Sequence, residues 1–397
     1  MTTQVLVITP VYYPEAGGSA LATYLITDLL ARTSKLRLTV LTGVKDSKRV
    51  SGVNYIYDPL LKLMNKQYFP TSLLAKRYQK ILKKHDIIYV VYAFPLIPLG
   101  KAYGKKVIVH LHDYRPISPD GVILAGTKGS GSFRLFKDSF TIRLMQKKGV
   151  KDLTRNVLNI PYTLQVRKWV GMADIILAVS KRHAEILSNY MPECKYRIKV
   201  QYNPLPCFQA VRKNLCSTPT FLYVGGENYL KGFYVLIRSI KDVVKSYKAK
   251  FFLAGSYRKE SLRTINMLNR TFGEKIHVLG KISYEKVFDF NKKSWALLFP
   301  SIIEEPLPYA VLESLTVGTL PVASKVGGVV EIVEETCAKD FLIAPRESGE
   351  LSEAMRRIIM NYSKDHFENF VYTLSNEFRE KFHTMFNKQE LLRYFLD

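Results

Sequence analysis

Short runs of consecutive apolar residues, separated by segments with helical spacing, dominate the first half of the chain. Such runs indicate strands buried on both faces, because a half-exposed strand would alternate apolar and polar residues. The segments between them repeat apolar residues every three or four positions, as amphipathic helices do. Strands alternating with helices predict a parallel, doubly wound sheet. The predicted strands cover residues 5–9, 38–42, 55–57, 87–91, 106–111, 174–180 and 197–200, and the clearest helices cover about 19–32 and 72–84.

The same alternation starts again after a proline-containing stretch at residues 203–219, which we interpret as a linker. Two such halves predict two Rossmann-like domains, with ligands outside the carboxyl ends of the strands in a cleft between them. We expect an N-terminal domain over residues 1–203, a C-terminal domain over 204–375 and a helical tail over 376–397. The predicted elements of the second half are strands 220–225, 251–255, 276–280 and 297–299, and a helix over 235–245.

The window from Glu305 to Glu313 follows the apolar run 295–300 and carries the strongest chemical signal. Pro306 suits the first position of a helix, so we interpret the window as a helix whose two carboxylates are offset by about 12 Å. The positive end of that helix would favour a phosphate beside Glu305. The layout suits a sugar joined to a nucleoside through a diphosphate; the alternative is a solvated helix with two surface glutamates.

The stretch from Leu298 to Val333 resembles the signature of retaining GT-B glycosyltransferases, more narrowly family 4 (glycosyltransferase group 1). The resemblance rests on Pro300-Ser301, the Glu-x7-Glu spacing, and the runs 318–324 and 326–333. It implies an α/β GT-B fold, with two Rossmann-like doubly wound domains facing a central cleft. The N-terminal domain of that family holds the acceptor, the C-terminal domain holds the nucleotide sugar, and the tail returns to the first domain.

The resemblance also implies roles for individual residues of the window. Glu305 would contact hydroxyls of the transferred sugar, and Glu313 would bind the ribose hydroxyls. The backbone N–H groups of Leu307, Tyr309 and Ala310 would face the sugar or the phosphates. Gly327 and Gly328 resemble a turn of the family, and a simple loop is the alternative for them.

The turn Gly225-Gly226 and the nearby Lys231 form a second candidate constellation. A lysine there can neutralise the diphosphate as charge develops on it, although a surface lysine is the plainer interpretation. The family usually has an arginine directly after the first glycine, whereas this chain has Gly226. Arg115, Lys281 or an acceptor-side residue could compensate, and the sequence does not select one.

Two further candidates lie in the first half. Gly17-Gly18 stands between the first strand and the first helix, where glycines let backbone approach an anion. The spacing differs from Gly-x-Gly-x-x-Gly, which disfavours a nicotinamide site. In the family this loop faces the donor phosphates or the acceptor, and a plain turn is the alternative. His112 ends a predicted strand and matches a family histidine that reaches the transferred sugar, whereas His110 is interpreted as a buried strand residue and Asp113 as a turn cap.

The sequence contains no Asp-x-Asp motif that would hold a divalent metal on a diphosphate. We therefore predict metal-independent activity, with no metal site and no cofactor other than the nucleotide-sugar co-substrate. The two glutamates are too far apart for a glycosidase pair, whose carboxyl groups lie about 5 Å apart in retaining enzymes. The resemblance instead implies a front-face displacement in which the leaving phosphate helps to deprotonate the acceptor.

The net charge of +25 is concentrated in the first half. Residues 1–205 carry 32 Lys and Arg against 12 Asp and Glu, a net +20, whereas residues 206–397 carry 27 against 22. This asymmetry implies an anionic partner. We favour an anionic membrane surface over nucleic acid, because no RNP-type, helix-turn-helix or zinc-finger motif is visible. The segment 133–148 mixes aromatic, aliphatic and cationic residues and suits a lipid interface; a solvated basic helix is the alternative.

The four cysteines form no Cys-x-x-Cys pair, and neither a secretion signal nor an apolar stretch of about 20 residues is visible. These features predict a cytoplasmic protein, and the basic first half predicts that it is peripheral on the membrane. The leading hypothesis is a retaining hexosyltransferase that uses a nucleotide sugar and a lipid-linked or glycan acceptor. The alternatives are a non-catalytic GT-B relative acting as a partner subunit and a basic nucleic-acid-binding protein. A sugar epimerase is disfavoured, because such enzymes do not resemble the 298–333 block.

Overall fold

The computed structural model describes residues 2–15, 17–64, 71–126, 132–146, 150–206, 213 and 215–397. The chain divides into two compact units. The first comprises Met1–Ile123, Thr127–Pro206 and Met385–Asp397, and the second comprises Leu124–Gly126 and Cys207–Thr384. The predicted linker at residues 203–219 includes 207–212 and 214, which lie outside the described residues.

The first unit is built on a seven-stranded sheet in which every neighbouring pair is parallel. Its elements are β1 (Thr3–Thr9), α1 (Ser19–Ala31), β2 (Leu36–Thr42), β3 (Asn54–Tyr57), α2 (Leu60–Met64), α3 (Thr71–Lys84), β4 (Ile87–Val90), α4 (Ile97–Ala102), β5 (Lys106–Leu111), α5 (Ser132–Met145), α6 (Val150–Val170), β6 (Ile175–Ala178), α7 (Lys181–Tyr190) and β7 (Ile198–Val200).

The second unit is built on a six-stranded sheet, also parallel throughout. Its elements are β8 (Thr220–Val224), α8 (Phe233–Val244), β9 (Lys250–Ala254), α9 (Lys259–Phe272), β10 (Ile276–Gly280), α10 (Tyr284–Lys293), β11 (Ala296–Phe299), α11 (Tyr309–Thr316), β12 (Leu320–Ser324), α12 (Gly328–Val333), β13 (Leu342–Ile343), α13 (Ser348–Asn361) and α14 (Lys364–Met385).

The strand orders place a topological switch point in each sheet. The first sheet runs β3-β2-β1-β4-β5-β6-β7 and the second runs β10-β9-β8-β11-β12-β13. In open parallel sheets the strand order reverses at one point, and ligands bind there, outside the carboxyl ends of the strands. The switch points lie between β1 and β4 in the first unit and between β8 and β11 in the second. The loops after these four strands therefore form the candidate binding edges.

The continuous apolar runs of the sequence are the buried strands. Residues 5–8 of β1 are completely buried, as are the four residues of β11 to within a few per cent. The predicted strands all occur, with ends shifted by one or two residues, and so do the predicted helices over 19–32, 72–84 and 235–245. Burial of both faces explains this agreement, because such strands must be apolar along their whole length.

The tail of the chain contributes to the core of the first unit. Helix α15 (Lys388–Leu396) lies in the part of the tail assigned to that unit, and its Leu391 and Phe395 belong to the same hydrophobic cluster as β1 and β4. The Phe395 ring meets the Tyr89 ring edge-on, with centroids 5.4 Å apart. Residues 385–397 are therefore a structural part of the first unit, whereas residues 376–384 of the predicted tail belong to the second.

Phe395→Ala should destabilise the protein by about 3–5 kcal/mol, because it removes a fully buried aromatic ring and leaves a cavity. The neighbouring Leu396, which is 39% exposed, provides the matched control, and Leu396→Ala should cost less than about 1 kcal/mol. Urea denaturation measures both. Equal effects of the two substitutions would contradict the assignment of α15 to the core.

Candidate active site

The turn after β8 brings two backbones unusually close. Gly226 has φ +59°, and a Cβ added there would lie 2.9 Å from both the backbone N and O of Ser256. A Cβ at Gly255 would in turn lie 2.4 Å from the Gly226 backbone. The arginine usual in the resembling family is therefore excluded at position 226 by the path of the backbone here.

The cations proposed from sequence to replace that arginine have different surroundings. Lys281 is exposed, and Arg115, in the first unit, pairs with Asp113 at 3.0 Å. The structure adds Arg258, which follows β9 and lies beside the turn. Its side chain donates to the buried carboxylate of Glu227 at 2.6 Å. Because Glu227 neutralises it, Arg258 is a poor substitute for a free guanidinium.

Lys231 and Glu305 form the centre of the candidate site. The Lys231 Nζ donates to Glu305 Oε1 at 2.7 Å, and the Ser301 hydroxyl donates to the same oxygen at 2.6 Å. The Glu305 side chain is 7% exposed and that of Lys231 is 36% exposed. The other two N–H bonds of Lys231 have no hydrogen-bond partner within the described part of the chain. The sequence did not identify Ser301 as a carboxylate ligand, although it placed Pro300-Ser301 in the signature.

A second close backbone approach sets the position of Lys231. Gly232 has φ +75° and directly precedes α8, and a Cβ there would lie 1.8 Å from the Pro300 carbonyl oxygen. Only glycine fits such an approach. The loop after β8 is thereby packed on the end of β11, which brings the lysine to Glu305.

The interpretation of Pro306 as the first residue of the helix is wrong. Helix α11 begins at Tyr309, and Pro308 is its N-cap residue, with extended φ and ψ. Glu305 therefore lies in the segment before the helix, and Glu313 lies within it. Proline tolerates several positions near a helix start, so the sequence could not distinguish Pro306 from Pro308. Both carboxylates are nonetheless buried, as a ligand-binding interpretation requires.

The start of α11 carries the three residues whose backbone N–H groups are predicted to face the sugar or the phosphates. Pro308 makes no side-chain cap, so no side chain of the N-cap residue occupies this positive helix end. Leu307 and Tyr309 are buried, and Ala310 is half-buried. An anion near the N–H groups of these three residues would be stabilised by the helix.

The turn after β12 contacts the backbone of Glu305 and the side chain of Glu304. The Gly328 N–H donates to the Glu305 carbonyl at 2.8 Å, and the Gly327 N–H donates to the Glu304 carboxylate at 2.8 Å. Gly327 has φ +49°, and a Cβ there would lie 2.0 Å from the Glu305 carbonyl oxygen. Glycine is therefore required at position 327 by contact with the candidate site. The sequence reasoning missed Glu304, whose only signal is its place beside Glu305.

Glu313 is buried beside Tyr284, the first residue of α10. The Tyr284 hydroxyl donates to Glu313 Oε1 at 2.7 Å. Burial raises the pKa of Glu313 to about 7, and the hydrogen bond from Tyr284 opposes that rise. Nothing in the sequence linked Tyr284 to Glu313, because the two residues meet only through packing of α10 on α11.

In the first unit, the loop after β1 leads into α1 through Gly17 and Gly18. Gly18 is the N-cap residue, with φ +57°, and a Cβ at either glycine would meet nothing within 4 Å. The loop after β4 contains Tyr92, which adopts φ +65° although it is not glycine. Such backbone strain is typical of functional positions. Both loops stand at the switch point of this sheet.

His112 follows β5 at the same edge of the first sheet. Its ring packs on His110 with centroids 4.4 Å apart, and its Nε2 is buried without a hydrogen-bond partner among the described residues. Burial, with His183 adding to it, lowers the pKa of His112 to about 3, so the imidazole is neutral. His110 is completely buried and bonds the Tyr89 hydroxyl at 2.6 Å, as its interpretation as a strand residue requires.

Asp113 has the turn-capping contact expected from the sequence. Its Oδ1 accepts from the Arg115 N–H at 3.0 Å. The Arg115 guanidinium also lies over the Tyr92 ring, 4.5 Å from its centroid. The structure thus brings together Gly225, Lys231, Glu305 and the start of α11 in the second unit, whereas Gly17, Gly18 and His112 share the edge of the first sheet.

Among the described residues, no three or more His, Cys, Asp or Glu side chains are grouped as a metal site would require. In the same part of the chain, no helix combines the length and the apolar character needed to cross a bilayer.

Comparison with known proteins agrees with this geometry. Residues 212–372 match the family model of the glycosyl transferases group 1. The chain has a GT-B fold, and the part of it that matches this family lies in the second unit. An uncharacterized glycosyltransferase of Methanocaldococcus jannaschii is 25% identical over 141 residues, which cover 36% of this chain. That match spans about a third, 36%, of the archaeal relative's length.

Solved GT-B structures resemble the whole chain. HepE of Anabaena, in complex with UDP and glucose, is 15% identical, with 98% of each chain covered and a TM-score of 0.65. Sucrose-phosphate synthase of Thermosynechococcus elongatus is 16% identical, with 98% of this chain and 96% of that one covered and a TM-score of 0.66. A UDP-forming trehalose-phosphate synthase of Burkholderia vietnamiensis is 12% identical, with 99% of each covered and a TM-score of 0.66. At these identities the likeness establishes the fold.

Gly226→Arg should restore the family's residue but lower stability by about 2–3 kcal/mol, because a side chain there meets the Ser256 backbone as well as an unfavourable φ. Gly273→Arg is the matched control: its φ is +89°, and a Cβ there meets nothing within 4 Å, so only the conformational cost of about 1 kcal/mol applies. Urea denaturation compares them. A Gly226→Arg protein as stable as the Gly273→Arg protein would show that the turn accommodates a side chain.

Proposed function

We propose that the protein is a retaining glycosyltransferase of family 4 type that moves a hexose from a nucleotide-diphosphate sugar to a lipid-linked or glycan acceptor. The observation that carries the proposal is the buried Glu305 carboxylate, which bonds Lys231 and Ser301. It lies shortly before α11, whose N-cap residue makes no side-chain cap. Burial of a carboxylate is costly unless it is paired, and Lys231 and Ser301 supply that pairing at one oxygen of Glu305. Binding sugar hydroxyls beside a diphosphate is the role that fits.

Each group has a role in the proposed reaction. Glu305 accepts hydrogen bonds from hydroxyls of the transferred sugar, and Lys231 offers its remaining N–H bonds to the diphosphate. The start of α11, with Leu307, Tyr309 and Ala310, adds backbone N–H groups and the helix dipole. Glu313 accepts from the ribose hydroxyls. These donors act on charge that grows on the leaving diphosphate, which is the kind of stabilisation that accelerates transfer.

The proposed chemistry retains the anomeric configuration. The bond between the anomeric carbon and the diphosphate oxygen breaks, and the acceptor oxygen bonds to the same face of that carbon. The acceptor hydroxyl gives its proton to the departing diphosphate. His112, neutral because burial lowers the pKa of His112 to about 3, would hydrogen bond a sugar hydroxyl without adding charge. Gly17 and Gly18 would let the loop after β1 approach the donor phosphates or the acceptor.

Lys231 and the helix dipole would do the work of a divalent metal. The absence of an Asp-x-Asp motif in the sequence supports a metal-independent reaction. The complexes of HepE with UDP-glucose and with UDP and glucose support a nucleoside diphosphate-hexose as donor. Neither the base nor the hexose is chosen by the residues described above, so a panel of donors is needed.

We also propose that the protein works at the cytoplasmic face of a membrane, as a peripheral protein. The net charge of +20 over residues 1–205 supports an anionic surface as partner. Helix α5 adds a second argument, because Ser139 and Arg143 face inward and bond Asp120. Its exposed residues include Phe140, Leu144 and Met145, each 43–51% exposed. A helix with apolar residues outward and a charge pair inward suits a lipid surface.

The segment suggested from the sequence for lipid contact, residues 133–148, lies only partly within the described residues. Lys147 and Lys148 lie outside the described residues, and so do the side chains of 133–136.

Each of the two alternative functions is supported by one specific observation. Gly226 in place of the family's arginine favours a non-catalytic partner subunit, and the basic first half would suit nucleic acid.

Glu305→Gln should lower hexose transfer and donor hydrolysis at least a hundredfold, because the amide cannot accept as strongly from sugar hydroxyls or pair with Lys231. A panel of UDP-, GDP- and ADP-hexoses, assayed by nucleotide release in EDTA, provides the measurement. Glu274→Gln, at an exposed position of the same unit, should leave the rate unchanged. Full activity of Glu305→Gln would refute the site, loss of wild-type activity in EDTA would refute metal independence, and wild-type protein inactive with and without Mg²⁺ would favour the non-catalytic alternative.

The protein should sediment with phosphatidylglycerol vesicles at low salt and be released at about 0.5 M salt, because screening weakens surface charge. Phosphatidylcholine vesicles should bind it weakly. The double variant Phe140→Ser and Leu144→Ser should reduce binding, whereas Met267→Ser, at an exposed position of the second unit, should not. Absence of vesicle binding at low salt would refute the membrane proposal, and tight binding of duplex DNA instead would favour the nucleic-acid alternative.

A further inference from the structure

The two oxygens of the Glu313 carboxyl group have different surroundings. The Tyr284 hydroxyl donates to Glu313 Oε1 at 2.7 Å. The other oxygen, Oε2, has no hydrogen-bond partner within the described part of the chain. Glu313 is only 6% exposed, so water cannot surround its carboxyl group as it would on a surface. One oxygen is therefore held by the protein, and the other is left for a ligand.

The helix that carries Tyr284 fixes the position of its hydroxyl group. Tyr284 begins α10, and the preceding Ser283 caps that helix by accepting from the Lys286 N–H. Helix α10 packs on α11, which carries Glu313. The phenol is thus held by a capped helix, and its hydroxyl reaches the carboxylate from a neighbouring element.

Helix α14 also packs on α11, and its Arg379 donates to the Thr316 carbonyl of α11 at 2.9 Å. Among the described residues, Tyr284 is the ionisable residue that bonds the Glu313 carboxyl. The strands β11 and β12 carry no charged residue. The pKa of Glu313 is raised by burial, and among side-chain contacts it is lowered by the Tyr284 hydrogen bond. The remaining ionisable residues of α10 and α12 do not contact the Glu313 carboxyl; they are Glu285, Lys286, Asp289, Lys292, Lys293 and Glu331.

We propose that Tyr284 is a positioning residue for ribose recognition: it holds one oxygen of Glu313 so that the other is presented to the cis-diol of a ribonucleotide. The proposal rests on the proposed function, in which Glu313 binds the ribose. A carboxylate accepts hydrogen bonds only, and a cis-diol offers two donors, so the pair is complementary. A 2′-deoxyribose offers one donor fewer, and a buried carboxylate oxygen would then lose a partner.

The tyrosine also affects when the carboxylate is ionised. A hydroxyl that donates to a carboxylate favours the charged form, so loss of the donor raises the pKa further. Folding itself prefers the neutral carboxyl, because the folded pKa lies above the ordinary value near 4.5; this stabilisation fades as pH rises towards about 7. Ribose binding prefers the ionised form. The affinity for a ribonucleotide should therefore increase as pH rises through neutrality.

Isothermal titration of UDP, GDP, ADP and CDP, and of their 2′-deoxy forms, between pH 5.5 and 8.5 tests this. Wild-type protein should bind at least one ribonucleotide more tightly than its deoxy form, with affinity rising around pH 7. Tyr284→Phe should weaken ribonucleotide binding at pH 7 by about fivefold to tenfold, the size expected for a hydrogen bond to a charged group. It should also shift the pH midpoint upward and reduce the ratio of ribo to deoxy affinity.

Two variants separate positioning from loss of structure. Tyr247→Phe, whose hydroxyl contacts the Met360 sulfur in the same unit, should leave the affinity, the midpoint and the ratio unchanged. Glu313→Gln should remove the pH dependence that comes from this carboxyl and keep only that of the nucleotide's terminal phosphate, whose second pKa is about 6. A Tyr284→Phe protein with wild-type midpoint and ratio would overturn the role of Tyr284 alone. Failure of the wild-type protein to bind any of the eight nucleotides would overturn the proposed function with it.

Discussion

The contact between the backbone of Gly327 and the peptide of Glu305 is the constraint on which the candidate site depends. The two chains approach so closely that a single added carbon would lie 2.0 Å from the Glu305 carbonyl oxygen. The approach fixes where the segment after β11 runs, and so where the Glu305 carboxylate stands. Lys231 and Ser301 can pair with that carboxylate only because its backbone is held in this way. The pairing of the Glu305 carboxylate with Lys231 therefore depends on the backbone packing at Gly327.

The architecture could be predicted from the sequence because doubly buried strands leave an unmistakable pattern. The runs at β1, β5 and β11 are apolar without interruption, and the structure confirms them as strands of parallel sheets. The boundary of α11 could not be predicted in the same way. Two prolines stand near it, and either suits a helix start, so the choice depends on the packing of the preceding segment. Two Rossmann-like domains followed from the pattern and the GT-B fold from the family resemblance, whereas the exact relation of Glu305 to the helix followed from neither.

The residues of the candidate site also differ in whether the sequence could identify them. Glu305, Glu313 and Lys231 were identified from the sequence because their residue type and spacing carry the signal. Ser301 and Glu304 lie next to such residues, but their contacts depend on the conformation of the loop. Tyr284 is 29 positions from Glu313 and reaches it only through helix packing. Partners that meet through tertiary structure leave no local pattern, and a single sequence does not reveal them.

The unit assignment of the tail has a consequence for how this polypeptide can be divided or exchanged. Helix α14 belongs almost entirely to the second unit, while α15 completes the apolar interior of the first. Neither unit is therefore one uninterrupted stretch of sequence. A fragment ending at Pro206 would lack Leu391 and Phe395, and would expose the surface that they cover. Recombination that swaps the first unit between relatives must carry residues 385–397 along with it, and on the ribosome the first unit cannot complete its apolar interior until those residues have been made.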